Sequence, residues 1–111
     1  MDCGSRGCDR GGVSRRLDDE EVARQLAGLP GWAGGTDALR RSYSFPDFPT
    51  AVRAVDEIAL LAEDMNHHPD IDIRWRTLHL VLSTHDAGGT TQLDVELAHQ
   101  IHEVAARLGA G

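Results

Sequence analysis

Glu63-Asp64-Met65-Asn66-His67-His68-Pro69-Asp70-Ile71-Asp72-Ile73-Arg74-Trp75 decides how this chain folds, because a helical pattern runs into it and a strand pattern leaves it. Upstream, Phe48, Val52, Val55, Ala59, Ala62 and Met65 recur at spacings of three and four, and Ile58 and Leu61 widen the stripe. That stripe predicts a helix laid over a sheet, with Met65 as core filler. Pro49 suits its first turn after Asp47 or Phe48, and Pro69 is expected to stop it. Downstream, Ile71, Ile73 and Trp75 alternate with Asp72 and Arg74, the pattern of a half-exposed strand. Arg76-Thr77 is read as a turn. Leu78, Leu80 and Leu82 then give one face of a second strand, with His79 and Val81 on the other.

The flanks complete the pattern. Asp18 with Glu21 forms a capping box, opening a helix from Asp18 to about Leu29 that Pro30-Gly31 ends. After Gly34-Gly35, the segment Ala38–Phe45 is read as a strand, with Leu39, Tyr43 and Phe45 on one face and Arg41 breaking the pattern. Thr91 with Asp94 is a second capping box, and Leu93, Leu97, Ile101, Val104 and Leu108 mark a third helix. This order predicts an α+β domain over residues 17–111, its antiparallel sheet covered on one face. Residues 1–16, rich in Gly and Arg, are read as a flexible tail. The open sheet face, the sheet edges and a generous third-helix stripe predict a homo-oligomer, at least a dimer.

Composition removes several functions. The 111-residue chain carries 18 acidic and 11 basic residues, every basic one an arginine, so lysine Schiff-base chemistry and a lysine-bearing phosphate loop are excluded. The tail holds four arginines against two aspartates, a net +2, which leaves −9 of the total −7 on the remainder. An acidic surface argues against a nucleic-acid ligand. No apolar run is long enough to span a membrane, and no secretory signal is visible, so a cytoplasmic location is expected. Cys3 and Cys8 have no neighbouring Cys/His pair and an unusual spacing for zinc.

His67, His68 and His85 all fall at the ends of predicted elements, where sheet pairing could gather them. Glu63 stands four residues before His67, on the same side of a continuing helix. Histidines exchange protons near neutral pH, and a carboxylate beside one sets its tautomer, so the cluster suits acid/base chemistry without a cofactor. Three histidines also suit zinc, although no known metal spacing is present. A non-catalytic module, its histidines only capping the helix end, is the third alternative. His79, His99 and His102 are read as solvent-facing.

The compound pattern is more specific than any of its parts. Gly31-Trp32, Tyr43-Ser44-Phe45-x-Asp47-Phe48, Ala62-Glu63-x-x-x-His67-His68-Pro69-Asp70, Leu82-Ser83-Thr84-His85 and Asp94-x-x-Leu97-Ala98-x-x-Ile101 together resemble the pterin-4a-carbinolamine dehydratase family. The resemblance runs from about Leu17 to Leu108 and implies a four-stranded antiparallel sheet with three helices packed on one face, its first strand short and near Trp32. It implies removal of water from a 4a-hydroxytetrahydropterin, without metal or cofactor, to give the quinonoid dihydropterin recycled after aromatic amino acid hydroxylation. His67, His68 and His85 would be the catalytic residues. Glu63 would orient His67, while Asp94 and Trp32 would shape the pocket. A homodimer or homotetramer is implied, and the alternative is a pterin-binding or protein-docking module that kept the fold without turnover. Thr90 departs from the Leu common at that position. Ile71, where animal members often carry an aromatic, points to the bacterial branch and away from the family's transcriptional partner role.

Overall fold

Each helix starts where a side chain can accept from the amide groups that a first turn leaves unpaired. In the computed structural model, which describes residues 15–111, Asp18 and Glu21 exchange capping bonds and open α1 (Asp19–Leu26). Asp47 accepts from the Thr50 amide at 2.8 Å and opens α2 (Phe48–Met65), with Pro49 in the first turn. Thr91 and Asp94 do the same for α3 (Gln92–Arg107). A cap of this kind is worth about 1 kcal/mol, enough to fix where a short helix begins. The sequence-predicted tail and both cysteines fall within residues 1–14, outside the described residues, except for Arg15 and Arg16. Arg15 pairs with Glu21, and Arg16 donates to the Thr36 carbonyl at 3.2 Å.

The sheet comprises β1 (Ala33–Gly34), β2 (Leu39–Ser44), β3 (Asp70–Arg74) and β4 (Thr77–Leu82), all antiparallel in the spatial order β1-β2-β4-β3. Register sets the two faces. Leu39 lies opposite Leu82, Tyr43 opposite Leu78, and Leu80 opposite Ile71, so these apolar side chains share one side. That side meets Val22 and Leu29, Ala54 and Ile58, and Leu97 and Ile101 in a single buried cluster, which places all three helices over one face. The opposite face carries Ser42, His79 and Asp72 in a row, all exposed. It is polar and solvated, so it does not itself demand a cover.

Several boundaries depart from the sequence reading. The regular turns of α1 end at Leu26, and turns carry Leu29 back into the core, 1% exposed. The hairpin loop is Trp75-Arg76, one residue earlier than expected, with Trp75 at φ 54° and 72% exposed rather than continuing the strand. The buried stripe of α2 is Ala51, Ala54, Ile58 and Ala62, which rotates Phe48, Val52 and Leu60 outward. Small residues let the helix lie closer to the core, and volume rather than hydrophobicity alone decides which stripe fits. Conversely, α3 buries Val95, Leu97, Ile101 and Val104 within the one chain, so its stripe leaves little surplus for a partner. Thr90, the departure from the family pattern, is fully buried and donates its hydroxyl to the Gly35 carbonyl at 2.7 Å.

Candidate active site

The end of α2 aims the first histidine. Asn66 takes a left-handed φ of 50°, a conformation Asn tolerates, and the His67 amide then bonds back to the Ala62 carbonyl at 3.0 Å. The helix therefore ends at Met65, four residues before Pro69. This reversal turns His67 inward, 8% exposed, with Nε2 2.5 Å from Asp94 Oδ1. Glu63 does not orient His67, because the helical spacing that would join them is broken at Asn66. Its Oε2 instead lies 2.6 Å from His68 Nε2, with both side chains exposed. Solvent screens that pair, so it fixes a tautomer more than it holds the fold.

Asp94 is fully buried in the first turn of α3, where a carboxylate persists only if donors surround it. Its Oδ2 accepts from the Thr91 amide and from the Thr84 hydroxyl, each at 2.9 Å, while Oδ1 faces His67. The residue that caps a helix thus also grips a histidine.

His85 follows Thr84 at the end of β4. Thr84 and Gly89 exchange backbone hydrogen bonds of 2.9 and 3.2 Å, closing a short 3₁₀ turn over His85–Ala87. Gly88 supplies the left-handed residue at φ 75°, and a Cβ on Gly89 would stand 2.1 Å from the Thr36 carbonyl oxygen. The turn leaves the His85 ring exposed, with no hydrogen-bond partner among the described residues. His67, His68 and His85 line one concavity of about 220 Å³ with Asn66, Ser83, Thr84 and Asp86. That is smaller than a drug-sized pocket and suits the reacting edge of a small ring system. Among the described residues, no group of three or more His, Cys, Asp or Glu side chains is placed to hold a metal ion.

Trp32 does not border the concavity. It is 6% exposed, and its Nε1–H donates to the Tyr43 hydroxyl at 2.9 Å. The Tyr43 hydroxyl also lies 2.8 Å from His102 Nδ1, so His102 is half-buried rather than solvated as the sequence reading has it. The Tyr43 hydroxyl accepts from Trp32, and burial pushes it above its ordinary pKa. His79 lies on the solvated sheet face against Ser42, and His99 is exposed on α3. The site residues that sequence reasoning missed are Asn66, Ser83, Thr84 and Asp86. Only Asn66 carried a local signal, as a left-handed cap at a helix end.

Comparison with known proteins gives this arrangement a family. Residues 15–104 match the family model described as pterin 4 alpha carbinolamine dehydratase. A protein of Roseiflexus sp. (strain RS-1), provisionally named a pterin-4-alpha-carbinolamine dehydratase, is 48% identical over 92 residues, covering 83% of this chain and 99% of its own. One of Nocardia farcinica, with the same provisional name, is 49% identical over 89 residues, covering 80% of this chain and 94% of its own. The crystal structure of a transcriptional coactivator/pterin dehydratase from Brucella melitensis superposes with a TM-score of 0.79 at 33% identity, over 82% of this chain and 99% of that one. With 94% to 99% of each relative matched across sheet, helices and histidine-bearing loops alike, the chain belongs to the pterin-4-alpha-carbinolamine dehydratase family of hydro-lyases.

Proposed function

We propose that the protein removes water from a 4a-hydroxytetrahydropterin by histidine acid/base catalysis, yielding the quinonoid dihydropterin for reductive recycling. One observation carries this reading: three histidines line a single concavity, two of them held by carboxylates and the third without a hydrogen-bond partner among the described residues. The elimination breaks the C4a–O bond, sends a proton to the departing hydroxyl and takes one from N5, leaving a C4a=N5 double bond and water. It therefore needs an acid on the oxygen and a base near the nitrogen. In this reading His67 and His85 protonate the hydroxyl of opposite stereoisomers, and His68 binds the pterin and assists loss of the N5 proton. Chelator-treated protein is expected to speed appearance of the quinonoid product, followed by absorbance after rapid mixing. A rate that returns only with added zinc would replace this mechanism with metal catalysis. Pterin binding with no turnover would leave a non-catalytic module.

Assembly is part of the same reading. Among the described residues β3 is an edge strand, and its outer backbone groups can accept another strand. On α2, Leu60 is 72% exposed and Phe48 48%, apolar surface that a two-fold contact would cover. At least a homodimer is expected. Light scattering at micromolar concentration decides it, and a mass near the 12.1 kDa of one chain would refute the oligomer.

A further inference from the structure

Hydrogen-bond directions around Asp94 can be resolved because a carboxylate only accepts. Thr84 Oγ1 lies 2.9 Å from Asp94 Oδ2, so the single Thr84 hydroxyl proton goes to the carboxylate. Thr91 Oγ1 lies 2.7 Å from Thr84 Oγ1, so the Thr91 proton goes to Thr84. Thr91 Oγ1 in turn accepts from the Leu93 amide at 3.2 Å. The hydroxyls form a one-way chain ending on Asp94, with the Thr91 amide as a further donor to the same oxygen. Thr84 and Thr91 are buried, and Asp94 has no exposed surface, so water cannot substitute for a lost donor.

We propose that Thr84 is a positioning residue that joins the two histidine-bearing segments: its backbone closes the His85 turn, and its hydroxyl fixes Asp94 so that His67 keeps its proton on Nε2 and presents Nδ1 to the concavity. Asp94 Oδ1 occupies the Nε2 side of His67, and Nδ1 has no partner among the described residues. To act as the acid His67 carries a second proton on Nδ1; that proton leaves to the hydroxyl, the held carboxylate keeps the first on Nε2, and the ring is left as the neutral Nε2–H tautomer, which a carboxylate free to rotate no longer sets. Thr84 borders the concavity, but its one hydroxyl proton is committed to Asp94. It acts through Asp94 on one side and through the Gly89 pairing on the other.

The inference rests on the proposed dehydration only for its kinetic arm. In the ¹⁵N spectrum of the ring, assigned with His67→Gln, neutral wild-type His67 is expected as the Nε2–H tautomer. Thr84→Val, close in shape but without a donor, is expected to mix the tautomers and lower kcat about 10- to 100-fold with KM within about twofold. Thr84→Ser is expected to restore both. Wild-type His67 found as the Nδ1–H tautomer overturns the proposal without reference to any variant. So does a Thr84→Val protein with the wild-type tautomer and rate, or equal losses in the Val and Ser variants. A wild-type protein that binds pterin without turnover would refute the dehydratase reading alone, and the ring spectra would still decide the role of Thr84.

Discussion

Asp94→Asn is expected to lower kcat by about 100- to 1,000-fold while KM changes little and the protein stays folded. The carboxylate accepts from three donors, and an amide brings one acceptor and an added donor to the same buried space. If the amide oxygen stays with Thr84 and Thr91, its NH₂ faces His67 Nε2. The ring must then accept there, which disfavours the doubly protonated acid form, since that form needs an N–H at Nε2 as well as at Nδ1. If the amide is flipped, the NH₂ opposes the Thr91 amide and the Thr84 hydroxyl, and a buried bond is lost at a cost of about 1–3 kcal/mol. Either outcome leaves His68 and His85 in place, so in the proposed elimination the loss should fall on kcat. Steady-state kinetics beside a thermal melt check it. A kcat within a few-fold of wild type would mean that His67 needs no orienting carboxylate.

Much of the fold was legible because short-range chemistry wrote it. The boxes Asp18–Glu21 and Thr91–Asp94 are local, and the structure starts both helices where they predict. The alternation through Leu78, Leu80 and Leu82 gave the core face of β4, since a strand has only two sides. The face of α2 was less legible. Its apolar residues span too wide an arc for periodicity to choose a stripe, and close packing of Ala51, Ala54 and Ala62 decided it. The two-residue β1 carries no periodic signal at all and was expected only through the family resemblance.

The site divides in the same way. The three histidines stood out by type and by their place at element ends. Their partners did not, because Asn66 broke the spacing on which the Glu63–His67 pairing depended, and the bond from His67 to Asp94 spans 27 residues. Trp32 was singled out by resemblance alone. In the fold its indole serves Tyr43 and the core. Thr84 and Thr91 read as ordinary strand-end and cap residues, and only their convergence on Asp94 gives them a further role.

The division of labour between His67 and His85 carries the second large effect. If each protonates the hydroxyl of one stereoisomer, removing one histidine should spare half of a mixed substrate, and removing both should spare none. The direct measurement is the progress curve of quinonoid formation from a mixture of both 4a-stereoisomers, with enzyme in excess. One fast phase is expected for wild type and for His79→Ala, whose ring lies on the solvated sheet face. Two phases are expected for His67→Ala and for His85→Ala, the slower reduced by about 100-fold or more, and a single slow phase for the double variant. A double variant as fast as either single one, or a His79→Ala loss equal to theirs, would contradict the central claim that these histidines perform the elimination.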